Sequence, residues 1–430
     1  MAVPQEPSAS VNEGLNQTRQ VTTNKVSRPR QRNDPLPQPP QDEGYYLRIS
    51  ITTLDKNRRD PVFKFKAITN LPRFKHTSYS HLERTYNEFE RLYNSLSYSN
   101  PECIVPALPF SATSYQGTEE DERRVKNAMQ QWVNRVSMNP ILCHDEELRS
   151  FIETDFAFIP ATKPRKRSGS FIFSFSSEVK DDDMDLAQAK STSHALEGHF
   201  IEISKNVQKL AKSRKGLAIC NSEVGIKSHA LGTVEKHPPL SNGLRRLGKT
   251  LQIISELQKS QAISEAAALG DFFSYYAVNA RIVKETLSNR LRIISEHENA
   301  VKETISKKRY MERLKSSTSI KTDKVDEALK DFKYAENYEQ NLDARVKRVT
   351  KNLHSELQNY ENNRTQDFIK SIKEYVNKQI MFEKQQLKEL ENLRPDINAI
   401  TKRNVRTYTL GEEELSARAV AEKLSITFAK

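Results

Sequence analysis

The chain of 430 residues carries 68 Lys plus Arg against 56 Asp plus Glu, is 36% hydrophobic and contains only 12 glycines. That length allows two or three domains, whereas the composition speaks against a compact α/β enzyme, and no apolar run reaches the roughly 18 residues of a spanning helix. The N-terminus lacks a basic-then-apolar signal pattern, and Cys103, Cys143 and Cys220 stand apart without a CxxC pair, so we expect a cytoplasmic chain with reduced thiols, no disulfide framework and no zinc site.

Charge is unevenly placed. Residues 1–43 hold 5 basic and 5 acidic side chains and residues 44–160 hold 15 of each, so the whole excess of 12 falls in residues 161–430. Such a balance favours a polyanionic partner, either nucleic acid or an anionic membrane, and charge alone does not separate the two.

Residues 1–43 are polar, with four prolines crowded into Pro35-Leu36-Pro37-Gln38-Pro39-Pro40, and read as a disordered tail. Strand-like alternation follows: Tyr45, Leu47, Ile49 and Ile51 share one face, and Phe63, Phe65 and Ala67 alternate with Lys64 and Lys66. A third run at 79–86 completes a small antiparallel sheet. Phe89, Leu92, Tyr93 and Leu96 then switch to helical spacing, and Thr118-x-x-Asp121 opens a helix carrying Val125, Met129, Trp132, Val133 and Val136. Strands followed by helices over 44–160 make an α+β domain of ordinary size.

Beyond residue 185 the chain reads as long helices, since proline is absent from 240–394 and glycine from 271–410. Steps of 3 and 4 recur in Leu196, Phe200, Ile203, Val207 and Leu210, in Tyr276, Ala280, Val283 and Leu287, in Leu342, Val346, Val349 and Leu353, and in Phe368, Ile372 and Tyr375. Breaks at His237-Pro238-Pro239 and Ser316-Ser317-Thr318-Ser319 divide 185–400 into three antiparallel helices, the second and third some 70 residues each. Seams of this regularity, left exposed, favour dimerisation, and residues 401–430 remain as an extension.

No GxGxxG, GxxxxGK[ST], HExxH or GxSxG occurs and the nine histidines are scattered, so neither catalysis nor a cofactor is expected. His297 and His354 lie among charged helix residues and read as solvated surface. A nucleic-acid partner is not expected either, because the aromatics are not interleaved with Lys and Arg on a sheet face.

The order of parts is specific. Leu82-Glu83-Arg84-Thr85-Tyr86-Asn87-Glu88-Phe89, the loop Val105-Pro106-Ala107-Leu108-Pro109, Gln131-Trp132-Val133, Met138-Asn139-Pro140-Ile141-Leu142 and Leu148-Arg149-Ser150-Phe151-Ile152 resemble a PX domain. With three long helices behind it, the chain resembles a PX-BAR sorting nexin, and within that family the fungal retromer sorting nexins of the vacuolar-protein-sorting class. The resemblance implies an α+β PX domain over 44–160 and an all-α BAR domain of three long antiparallel helices over 185–400. It also implies a membrane-curving coat subunit, peripheral on endosomes, that pairs with a second PX-BAR sorting nexin and meets the retromer cargo-binding trimer in retrograde transport.

Departures from the family pattern mark the lipid pocket as degenerate. Where phosphatidylinositol 3-phosphate binders resembling this chain carry Arg-Arg-aromatic, the triplet is Arg84-Thr85-Tyr86, and Thr85 offers one neutral hydroxyl in place of a bidentate guanidinium. The lysine that the resemblance expects just after the proline loop is missing, since none lies between Lys75 and Lys126, and the second phosphate arginine it expects would fall near Val125, with Arg124 one place away. Arg84 and Tyr86 either retain residual lipid binding or finish a strand.

Two further stretches face a membrane in such an assembly. The linker 161–184 carries Lys163-Pro164-Arg165-Lys166-Arg167 before Phe171, Ile172, Phe173 and Phe175, a pattern suited either to interfacial insertion or to packing on the first bundle helix. Between the second and third helices, Lys307, Lys308, Arg309, Arg313, Lys315, Lys321 and Lys324 oppose Glu312 and Asp323, a net of +5 in 18 residues; in a BAR rod that turn is the distal tip. A long coiled-coil tether without lipid contact is the rival reading, because heptads alone say only that helices pack.

Overall fold

The structure, a computed structural model, describes residues 44–161, 181–316 and 322–407. The proposed N-terminal tail, Phe171, Ile172, Phe173 and Phe175 of the linker, Lys321 and residues 408–430 lie outside the described residues.

Three antiparallel strands, β1 (Leu47–Asp55), β2 (Val62–Thr69) and β3 (Ser78–Thr85), pair in the order β1-β2-β3. Alternation puts Leu47, Ile49 and Ile51 on the same covered side as Phe65 and Ala67, with Ile51 opposite Phe65 and Ile49 opposite Ala67. Helices α1 (Tyr86–Ser99), α2 (Glu119–Met138) and α3 (Glu146–Glu153) cover that side. Phe89 is the hub, its ring centroid 4.9 Å from Phe151, 5.4 Å from Phe63 and 6.1 Å from Trp132. Thr118 caps α2 as its spacing predicts, accepting from the Asp121 amide; the Asp121 carboxylate instead takes Lys56 at 2.6 Å and the Thr113 amide and hydroxyl.

The second half is helical. Helix α4 (Met184–Val234) turns at Glu235–His237 into α5 (Pro238–Glu265), which passes through a π turn (Ala266–Gly270) into α6 (Asp271–Lys315); α7 (Thr322–Thr407) runs back. Pro238 and Pro239 start a helix rather than merely breaking one, since a first-turn proline forfeits no helical hydrogen bond. The third helix is longer than expected, 86 residues with Pro395 inside it, on the order of 130 Å at 1.5 Å per residue.

The seams of α6 and α7, expected to stand open for a partner, are instead buried inside the chain at Tyr276, Ala280, Val283 and Leu287 and at Leu342, Val349 and Leu353, because the two helices pack on each other. On α4 the covered face is different. It is a strict heptad of small residues, Ser204, Ala211, Ala218, Gly225 and Gly232, while Ile203 and Leu210 point away, 39% and 44% exposed. Small side chains let α4 and α5 approach backbone to backbone: a Cβ on Gly225 would lie 2.8 Å from the Gly248 carbonyl oxygen, and one on Gly248 only 2.5 Å from the Gly225 oxygen.

Candidate membrane-binding and assembly surfaces

Each residue expected at the lipid pocket has partners inside the chain. Arg84 is 4% exposed; its Nε and Nη2 donate to the Phe151 carbonyl at 3.0 and 2.8 Å, Nη1 donates to the Glu83 carbonyl, and Nη2 also reaches the Thr154 carbonyl. Burial holds its pKa below the ordinary arginine value. Thr85 is the N-cap of α1 in a full capping box: its hydroxyl accepts from the Glu88 amide, and Glu88 accepts from the Thr85 amide at 2.8 Å. Tyr86 donates its hydroxyl to the Pro109 carbonyl at 2.9 Å, and burial raises its pKa to about 12. Arg124 donates to Glu120 at 2.8 Å, pairs with Glu374 of α7 and lies over the Tyr115 ring. Arg84, Thr85 and Tyr86 are thus contiguous at the β3–α1 junction, whereas Arg124 is drawn toward the long helices.

That last contact belongs to a junction the sequence reading missed. The proline loop docks on the long helices: Ile104 packs with Leu186, Val283, Leu287, Val349 and Leu353, and its amide donates to Glu356, which also accepts from Asn139. The Ala107 amide donates to Asn279 and its carbonyl accepts from Tyr275. Asp367 accepts from Gln131, Arg135 and the Tyr276 hydroxyl at 2.6–2.7 Å. Burial raises the Tyr275 phenol to about 12 and pushes the Asp271 and Glu356 carboxyls above their ordinary range. The one sequence signal for this junction is an apolar loop, Ile104 to Leu108, too rich in large side chains for a solvated turn.

At the other end of α6, Lys308, Arg309, Arg313 and Lys315, with Lys324 at the start of α7, are exposed and have no ion pair among the described residues. Lys307 differs, donating to Glu303 at 2.9 Å, an i, i+4 pair that raises its pKa. Most of the described charge at this turn therefore faces solvent. His354 is half exposed and bonds at 2.7 Å to Asp183, which caps α4 by accepting from the Leu186 amide.

Large apolar side chains remain uncovered along two helices. On α4 these are Ile203, Leu210, Leu217, Val224 and Leu231, at unbroken steps of seven; on α7 they are Ile369, Val376, Ile380, Leu387, Leu390 and Ile397, at steps of 7, 4, 7, 3 and 7. Since α4 and α7 each pack mainly on the α5–α6 helix between them, these stripes have no partner among the described residues of the chain. Apolar stripes of this length match the seam of a helical partner. No described helix is long and apolar enough to cross a membrane.

A PX-type sheet-and-helix domain docked on long antiparallel helices, with apolar stripes left open and cations at one helical turn, is the architecture of a PX-BAR protein. Residues 163–396 match the family described as Vps5 C terminal like, and residues 72–155 match the PX domain. Vacuolar protein sorting-associated protein 17 of Schizosaccharomyces pombe is 32% identical over 391 residues, covering 87% of this chain and 69% of that protein; its Saccharomyces cerevisiae counterpart is 27% identical over 399 residues, covering 89% and 71%. The SNX-BAR Mvp1 tetramer seen by cryo-EM shares the fold, with a TM-score of 0.51 at 15% identity over 80% of this chain and 99% of that one. The chain belongs to the Vps5-like family of PX-BAR sorting nexins.

Proposed function

We propose that this chain is a non-enzymatic, membrane-curving sorting nexin of the retromer type, working in vacuolar protein sorting as one half of a BAR dimer on the cytoplasmic face of endosomes. The observation that carries this reading is the pair of uncovered apolar stripes on α4 and α7, which call for a second rod, together with cations at the α6–α7 turn that such a dimer would hold at both ends. Each cation near an anionic leaflet contributes about 1 kcal/mol, so two tips together suffice to retain a dimer at physiological salt. The partner is a second PX-BAR sorting nexin with a competent lipid pocket, which supplies the headgroup specificity that Arg84, Thr85 and Tyr86 lack, and the retromer cargo-binding trimer completes the coat. Phe171, Ile172, Phe173 and Phe175 add apolar insertion beside the rod.

Sedimentation of the full chain with phosphatidylserine-containing liposomes, alone and mixed with its candidate partner, tests this. Binding that strengthens in a heterodimer of measured mass is expected; a dimer that stays in the supernatant at low salt identifies a tether without lipid contact.

A further inference from the structure

Between the PX domain and the long helices lies a cavity of about 530 Å³, within the range of small-molecule sites. Its apolar wall comes from one face of α2, with Val125, Ala128 and Trp132 spaced to align, and from Ala268 and Phe272 opposite. The π turn is fixed in place, the Ala268 carbonyl accepting the Ser371 hydroxyl at 2.6 Å. Such widened turns recur at functional sites.

The charges around this wall select the ligand. Arg124 and Arg135 are engaged by Glu374 and Asp367, Arg123 by Glu120, and Asp271 accepts from the amide and hydroxyl of Ser114. Lys370 is the lining cation without an ion pair among the described residues. A polyphosphate headgroup would meet one uncommitted cation; an apolar body bearing a single negative charge would have both its parts matched. Arg84, Thr85 and Tyr86 do not line the cavity. On α7, Asp367, Lys370, Ser371 and Glu374 follow i, i+3, i+4, i+7 spacing, whereas Ile369, Val376 and Ile380 project from the opposite side, so pairing along that apolar stripe leaves the cavity open.

We propose that this cavity binds an amphipathic monoanion, an apolar or aromatic body carrying one carboxylate, sulfonate or phosphate, with Lys370 as its counter-ion. Lodged between α2 and the π turn, such a ligand stiffens the junction between the two domains.

Trp132 is the only tryptophan of the chain and stands in the wall, so it reports occupancy directly. The full chain is titrated with 1-anilinonaphthalene-8-sulfonate, an aromatic monoanion, with Trp132 excited and sensitised dye emission recorded. Saturable emission from one dye per chain is expected, displaced by decanoate and displaced far less by decanol or by inositol hexakisphosphate. Lys370→Glu should weaken the dye about tenfold, and Ala128→Phe should fill the space and abolish sensitised emission. Because Lys370 is exposed, its substitution keeps the test valid even where Ala128→Phe perturbs folding. Unchanged binding in the Lys370→Glu chain, or stronger displacement by the polyphosphate, overturns the proposal and moves the dye to the open α4 stripe or to a phosphate site.

Discussion

At the residue scale, Arg84 holds the end of α3 to the end of β3 through the Phe151, Thr154 and Glu83 carbonyls, nearly all of it out of water. Arg84→Ala leaves those acceptors without their donor and opens a void, so a loss of about 3 kcal/mol is expected in urea unfolding; an unchanged midpoint would show that the guanidinium carries none of the fold. Its neighbour is legible in two ways. Thr85 stands where the family resemblance expects a phosphate-binding arginine, and Thr85-x-x-Glu88 also spells the capping box that the structure contains; only the first meaning enters the sequence reading, because headgroup motifs are matched by triplet and caps by spacing. Replacing the cap costs about 1 kcal/mol. Thr85→Arg should therefore lower stability by that amount, while the unmodified chain binds soluble phosphatidylinositol 3-phosphate too weakly for micromolar calorimetry. Tight binding by the unmodified chain would mean that other cations serve the headgroup.

At the element scale, periodicity found the helices and their breaks, since absent Pro and Gly leave little else for residues 240–394 to be. Ile203 and Leu210 stay open, in line with a seam left for a partner, but periodicity does not mark the inner face of α4, Ser204, Ala211, Ala218, Gly225 and Gly232. Close helix packing needs small residues, which carry almost no hydrophobic signal. Two glycine substitutions with opposite signs check this. Gly248→Ala forces a methyl against the Gly225 carbonyl and should destabilise by about 2 kcal/mol. Gly216→Ala, with nothing within 4 Å of the added carbon, should stabilise by about 1 kcal/mol through helix propensity. Thermal melts of equal shift for both would deny the close approach of α4 and α5. The proline loop escaped the sequence reading for a related reason, as its burial by α6 and α7 arises from contacts 150 residues or more away in the chain.

At the scale of the whole molecule, the proposed function assigns two terms to separate places: apolar pairing along α4 and α7, and charge at the α6–α7 turn. Leu217→Asp with Val224→Asp puts charges into the uncovered stripe, and light scattering should then return the mass of a single chain at micromolar concentration; a dimer of unchanged mass would place the pairing face elsewhere. Under the proposed insertion, the linker aromatics would act through apolar burial that salt hardly touches, so Phe171, Phe173 and Phe175→Ser should lower liposome binding and leave a salt-sensitive remainder. Tip attraction should instead fade as salt shortens the screening length from about 10 Å at 0.1 M. The most direct measurement is liposome tubulation by a dimer carrying Lys308→Glu, Arg309→Glu and Arg313→Glu, viewed by electron microscopy beside the unmodified dimer. With dimer mass unchanged, tubules should be lost and binding should no longer depend on salt; tubules of normal number and width would contradict a membrane-curving rod held by its tips.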